Sequence, residues 1–234
     1  MKNYRLEAIL LAAAIAIVGG CLYAGLSTLS NRDRAVSVRG LAEREVKADH
    51  VIWPVVYKTT GNNLAAIYAD LAQAEQRITA FLTKGGVKKD DISTDAPQIV
   101  DLNADRYSQQ QPGRDRYTVT YIVTVSSAEV DKVRQLMSQV GDLLKEGIAI
   151  SAGEYDSKVQ YEFTGLNQIK PEMIEQATRN AREAAQKFAA DSDSELGKIK
   201  RATQGLFTIE DRDQYTPYIK KVRVVTSVDY YLES

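Results

Sequence analysis

The sequence predicts an α+β protein: two β-α-β-β repeats joined by a helix, with the helices on one face of a mainly antiparallel sheet and an apolar N-terminal helix ahead of them. Three observations carry this. Long segments alternate apolar and polar residues with period two, as strands with a single buried face do, which disfavours a doubly wound parallel sheet. Between them lie segments whose apolar residues recur every three or four positions, with helix-ending signals behind them. The stretches "YKTTGNN" (57–63) and "YEFTGLN" (161–167) echo each other, each closing a strand before a helix.

The N-terminal segment is apolar from Ile9 to Leu26, with Lys2 and Arg5 before it and Arg32 and Arg34 after it. As a helix it would be about 27 Å long, close to the ~30 Å of a bilayer's hydrocarbon core. Three readings compete for residues 1–30. The first is an uncleaved signal anchor in the inner membrane, with residues 31–234 in the periplasm. The second is a cleaved signal peptide, which leaves a periplasmic protein. The third is a lipoprotein, since "VGGC" resembles the motif that precedes a lipidated cysteine, here Cys21. All three export the chain, and the anchor fits the segment's length best.

After a short strand, "AVSVRG" (35–40), the first repeat is expected at about 51–126 and the second at about 157–232. "EVKADHVIWPV" (45–55) holds the only histidine, His50, and the only tryptophan, Trp53. Alternation puts Trp53 with Val51, Val55 and Tyr57 on the apolar face, which makes it core; His50 falls at the strand's beginning. Pro54 suggests an edge or a bulge. A helix follows with Leu64, Ile67, Tyr68, Leu71, Ile78, Phe81 and Leu82 in its stripe and Gly85-Gly86 at its end. "YTVTYIVTVSS" (117–127) is a strand with Tyr117, Val119, Tyr121, Val123 and Val125 inward. The joining helix carries Val130, Val133, Leu136, Met137, Val140, Leu143 and Leu144; it opens with Ser126 and Glu129 at capping-box spacing and closes at Gly147. The third helix shows Ile174, Ala177, Ala181, Ala184 and Phe188, with Pro171 in its first turn. A final strand turns Val222, Val224, Val228, Tyr230 and Leu232 to one side.

Composition narrows the function. Lys and Arg number 30 against 31 Asp and Glu, so no global field draws nucleic acid. One cysteine and one histidine leave no disulfide within the chain and no thiolate or imidazole zinc site. No nucleophile elbow or phosphate-cradling glycine motif occurs, and "DSDSELG" (191–197) departs from a calcium loop at its glycine and final acid. The sequence therefore points to a protein that is not an enzyme, with no catalytic residues, cofactor or metal.

What remains is a pair of loops, "ADRYSQQQPGRDRY" (104–117) and "EDRDQYTPY" (210–218), at equivalent places in the two repeats. Their Arg106, Tyr107, Arg116, Tyr117, Arg212, Tyr215 and Tyr218 suit a partner or ligand surface, with aromatic faces to stack on sugar rings.

The order of "VSVRGLAEREVKADHVIW", "LAQAEQRITAFLTKGGVKKDDIST", "YTVTYIVTVSSAEVDKVRQLM" and "ATRNAREAAQKFAADSDSELGKIKRATQG" resembles the SIMPL-domain family of bacterial extracytoplasmic proteins. The family's opening "VSVxGxGxVxxxPD" is changed here at Leu41–Glu45 and Ala48-Asp49, and no catalytic residues carry over. The resemblance implies an exported domain linked in some members to envelope or oxidative stress, and in some to ring-like assembly. The resulting expectation is a membrane-anchored envelope protein that acts as a homo-oligomer or through a protein partner. The second is a module that binds a small molecule or glycan.

Overall fold

The computed structural model describes residues 4–31, 34–104, 113–151 and 157–233. Its elements are helix α1 (Tyr4–Asn31), strands β1 (Ala35–Lys47) and β2 (His50–Gly61), helix α2 (Leu64–Lys84), strands β3 (Ile92–Thr94), β4 (Gln98–Asp101) and β5 (Tyr117–Ser127), helices α3 (Val130–Ser138) and α4 (Gly141–Lys145), strands β6 (Ile150–Ser151) and β7 (Gln160–Glu162), helix α5 (Leu166–Asp191), and strands β8 (Glu195–Gln204), β9 (Thr208–Asp211) and β10 (Ile219–Glu233). The α+β class stands, with helices packed on antiparallel sheets. The strands divide between two sheets: one runs β1-β10-β8 with β9 beside β10, the other β3-β5-β2-β6 with β4 beside β5 and β7 beside β2. Thus β7, which opens the second expected repeat, pairs with β2 of the first, while β1 stands next to β10.

Two compact units result. One gathers residues 1–44, 168–208 and 222–234; the other gathers 45–167 and 209–221. In the second unit Val51, Trp53, Val55, Val119, Val123 and Val125 from the β2–β5 pair meet Ile67, Leu71, Ile78 and Leu82 of α2 and Val133, Leu136 and Leu143 of α3 and α4. Trp53 is buried, as alternation requires. In the first unit Val38, Val228 and Tyr230 pack on Ala181 and Ala185 of α5.

The buried stripe of α5 is Met173, Ala177, Ala181, Ala185 and Ala189; it shares Ala177 and Ala181 with the expected one, while Ile174 and Ala184 are only partly buried and Phe188 is exposed. Gly40 of β1 lies against this stripe. A Cβ there would lie 1.8 Å from the Ala177 carbonyl oxygen, so strand and helix touch backbone to backbone at Ala177 and Ala181. Pro171 also lies inside α5, not in its first turn.

The joining helix is two helices, broken at Gln139-Val140, where the N–H groups of both residues bond three residues back. The capping box does not form, because Ser126 still belongs to β5 and α3 starts at Val130 with Glu129 at its N-cap, which makes no side-chain cap. Gly147, with φ +84, ends α4.

Pro54 is not in a bulge, since its register with β5 is unbroken from Val51↔Ser127 to Gly61↔Tyr117, but among the described residues it has a strand on that side alone, which is the local edge expected of a proline. On its other side β2 pairs with β7 over His50–Ile52 and with β6 over Val56–Tyr57, and Pro54 falls in the gap. The Ile122 carbonyl accepts from Asp95, across β5 from β2. Thr124, two residues on, therefore also turns its backbone away from β2, as does its partner Pro54. The missing N–H costs the ladder nothing.

The expected signal anchor is corrected. Among the described residues no helix is long and apolar enough to cross a membrane. Anchoring in the inner membrane and contact with the membrane through this segment fall with it. Homo-oligomerisation and a protein partner have no support in the described residues. Cys21 is a free, exposed cysteine.

Candidate functional site at the two ends of β2

The two candidate loops belong to the same unit but flank opposite ends of β2. Tyr117 pairs with Gly61, at the strand's C-terminal end, while the Tyr218 carbonyl accepts the Ala48 N–H just before its start. From Val51 to Gly61 an extended strand covers about 33 Å, which separates Arg116 and Tyr117 from Arg212, Tyr215 and Tyr218. Arg106 and Tyr107 lie outside the described residues.

At the Gly61 end Arg116 is fully engaged. Its Nε and Nη2 donate to the Asp101 carboxylate at 3.1 and 2.7 Å, and its guanidinium lies 4.8 Å from the centre of the Tyr117 ring. The hydrogen bond from Arg116 holds the Asp101 carboxyl below its usual range. Asp115 accepts from Thr60 and Asn62, which ties the loop's end to β2. Tyr117 itself packs on the core. This end is a closed hydrogen-bonded corner.

The other end is built differently. Asp213 ties the turn between β9 and β10: its carboxylate accepts the N–H groups of Tyr215 and Thr216, both at 2.8 Å, the Thr216 hydroxyl, and Arg212 Nε at 3.1 Å. These bonds, the Thr216 hydroxyl first, pull its pKa down to about 2. An aspartate bonding the backbone two and three residues on is what its short side chain does well in turns. Arg212 also reaches Glu45 at 3.4 Å and donates to Thr216 at 3.0 Å. Lys220, buried at the base, is ion-paired with Asp211. On this rigid turn Tyr215 stands 82% exposed.

Beneath it Tyr218 is half-buried. Arg134 of α3 lies 3.4 Å from the centre of its ring, and Tyr161 of β7 meets it edge-on, ring centres 6.2 Å apart. The Tyr161 hydroxyl reaches Met137 Sδ at 3.7 Å, and burial raises its pKa against the pull of Arg134. Sequence reasoning misses Arg134 and Tyr161. The first lies on a helix read for its apolar stripe, and the second comes to Tyr218 through the pairing of β7 with β2. His50 is held by Ser126, and Asp49 accepts the N–H groups of Thr164 and Gly165 at 2.7 and 2.9 Å, so both serve the strand ends.

Among the described residues no group of three or more His, Cys, Asp or Glu stands where it could hold a metal ion. What this end offers is an exposed aromatic face on a fixed polar turn, with every arginine near it already paired to a carboxylate or a ring.

The chain matches the family SIMPL, described as "Protein of unknown function (DUF541)", over residues 36–226. No curated protein matches it. The regulatory subunit of aspartate kinase from Thermus flavus, a solved structure, aligns at 14% identity over 82% of this chain and 89% of that one. Its TM-score is 0.19, so no argument rests on it.

Proposed function

The chain belongs to the SIMPL family, and on that premise we propose that it is a non-catalytic extracytoplasmic binding domain whose ligand is a neutral carbohydrate, met at the Tyr215 turn. The family carries no known catalytic activity. The observation that supports this reading is Tyr215, whose ring is 82% exposed on a turn already fixed by Asp213. Exposing an aromatic face on a pre-ordered segment reduces the entropy lost on binding. The apolar face of a pyranose stacks on such a ring, and the polar groups of the turn meet its hydroxyls. Neutrality follows from the arginines: Arg212 is engaged with Asp213 and Glu45, and Arg134 covers Tyr218, so an anion would have to displace existing ion pairs.

Thermal denaturation of the chain with a panel of neutral and acidic envelope oligosaccharides tests this. At least one neutral glycan should raise the melting temperature, with no rise in Tyr215→Ala. If no neutral glycan stabilises the wild type, or if Tyr215→Ala responds equally, the reading is wrong.

A further inference from the structure

A second place in the same unit holds a cavity unrelated to the Tyr215 turn. It has a volume of about 390 Å³ and opens between α2 and the α3–α4 pair. That is near the lower limit for a small-molecule site. One wall is a single stripe of α2, Arg77, Ala80, Phe81 and Lys84, at the i, i+3, i+4, i+7 spacing that puts them on one face. The other is supplied by Leu136, Gln139, Asp142 and Glu146. The break between α3 and α4 redirects the chain here, so Asp142 and Glu146 face the basic stripe.

The cavity is apolar at its floor and oppositely charged at its walls. Phe81 and Leu136 form the floor, and Gly85 lets Leu136 approach so closely that a Cβ there would lie 2.1 Å from it. At one end Arg77 donates to the Glu146 carbonyl at 2.8 Å, and Glu146 is exposed. At the other stands Lys84, opposite Asp142. The Asp142 carboxyl lies below its usual range, chiefly because Lys145 donates to it at 2.7 Å and to a lesser degree through the charge of Lys84.

We infer that this cavity is a binding site for a small apolar zwitterion, a free amino acid such as leucine or phenylalanine, with its carboxylate on Lys84, its ammonium on the Glu146 carboxylate and its side chain on Phe81 and Leu136. A ligand with one charge would leave one wall facing an unmatched group, and a purely apolar one would strip water from both. A zwitterion with an apolar side chain matches floor and walls together.

Titration calorimetry with the whole chain provides the test, using L-leucine and L-phenylalanine at millimolar concentration. Either should give saturable heat. N-acetylleucine, which lacks the ammonium, and leucinamide, which lacks the carboxylate, should bind at least about tenfold more weakly than leucine. Lys84→Ala and Glu146→Gln, both at exposed positions, should each weaken binding by a similar factor without changing the melting curve. Tyr215→Ala should leave it unchanged, which separates this site from the carbohydrate reading. Absence of heat with both amino acids overturns the inference. So does equal binding of the blocked derivatives, or binding that survives both wall variants.

Discussion

The glycine at position 40 shows how far a single residue governs the first unit. Its absent Cβ lets β1 lie against the backbone of α5, with the Ala181 nitrogen 2.5 Å from where a Cβ would stand. Neither atom is the movable end of a side chain, so Gly40→Ala must push strand and helix apart. We expect a loss of about 3 kcal/mol or more, measured by urea denaturation, since overpacking against backbone cannot relax locally. Asp213 governs the Tyr215 turn through charge. Its carboxyl titrates at about 2, below the ordinary 3.8. The stabilisation it gives is complete above 3.8 and is lost as pH falls through about 2. The amide resonances of Tyr215 and Thr216 should therefore hold steady down to mildly acidic pH and then move together in a low-pH titration. At this scale the sequence is informative where a residue acts through its own alternation, as Trp53 does. It is silent where the reason lies across space: nothing in "VSVRGLAERE" says that Gly40 faces Ala177.

Elements with local signals are legible. Helix α2 begins at Asn63, whose side chain accepts the N–H groups of Ala65 and Ala66, and ends at Gly85 and Gly86. Gly86 has φ +88, and the Val87 N–H bonds back to the Leu82 carbonyl, which is the closing bond of a Schellman end. Gly86→Ala should cost about 1 kcal/mol in chemical denaturation, because alanine is strained at that angle. The α3–α4 break is not legible, because the apolar spacing continues straight through Val140 while the backbone does not. The capping-box spacing at Ser126 misleads for a related reason. The strand β5, held by its pairing with β2, runs on through Ser127, so the helix starts at Val130 and Ser126 never stands at its N-cap. The candidate surface divides in the same way. The composition of both loops is plain in the sequence, but their separation along β2 depends on which strand pairs with which.

For the whole molecule, the two units differ in how their cores are made. The unit around β2 and β5 buries a continuous set of large aliphatic side chains with Trp53 and Tyr121. The unit around α5 relies on alanines against Val38, Val228 and Tyr230, and its strand β8 is exposed along most of its length. Register shifts interrupt the β8–β10 pairing between Asp229 and Tyr230 and between Tyr230 and Leu232. Local opening follows thin burial. In native-state hydrogen exchange the amides of Val55 and Val123 should outlast those of Lys200 and Ala202 by about tenfold or more. A reversed order would show that the alanine-packed unit is the more stable one. Pro54 has a consequence at this scale too. Between β7 and β6 the β2 backbone has no strand beside it among the described residues, on a chain segment rich in valine and isoleucine. A proline set there has no donor to offer on that side, so at Pro54 the β2 backbone gives its ladder to no further strand while its packing against β5 continues unbroken.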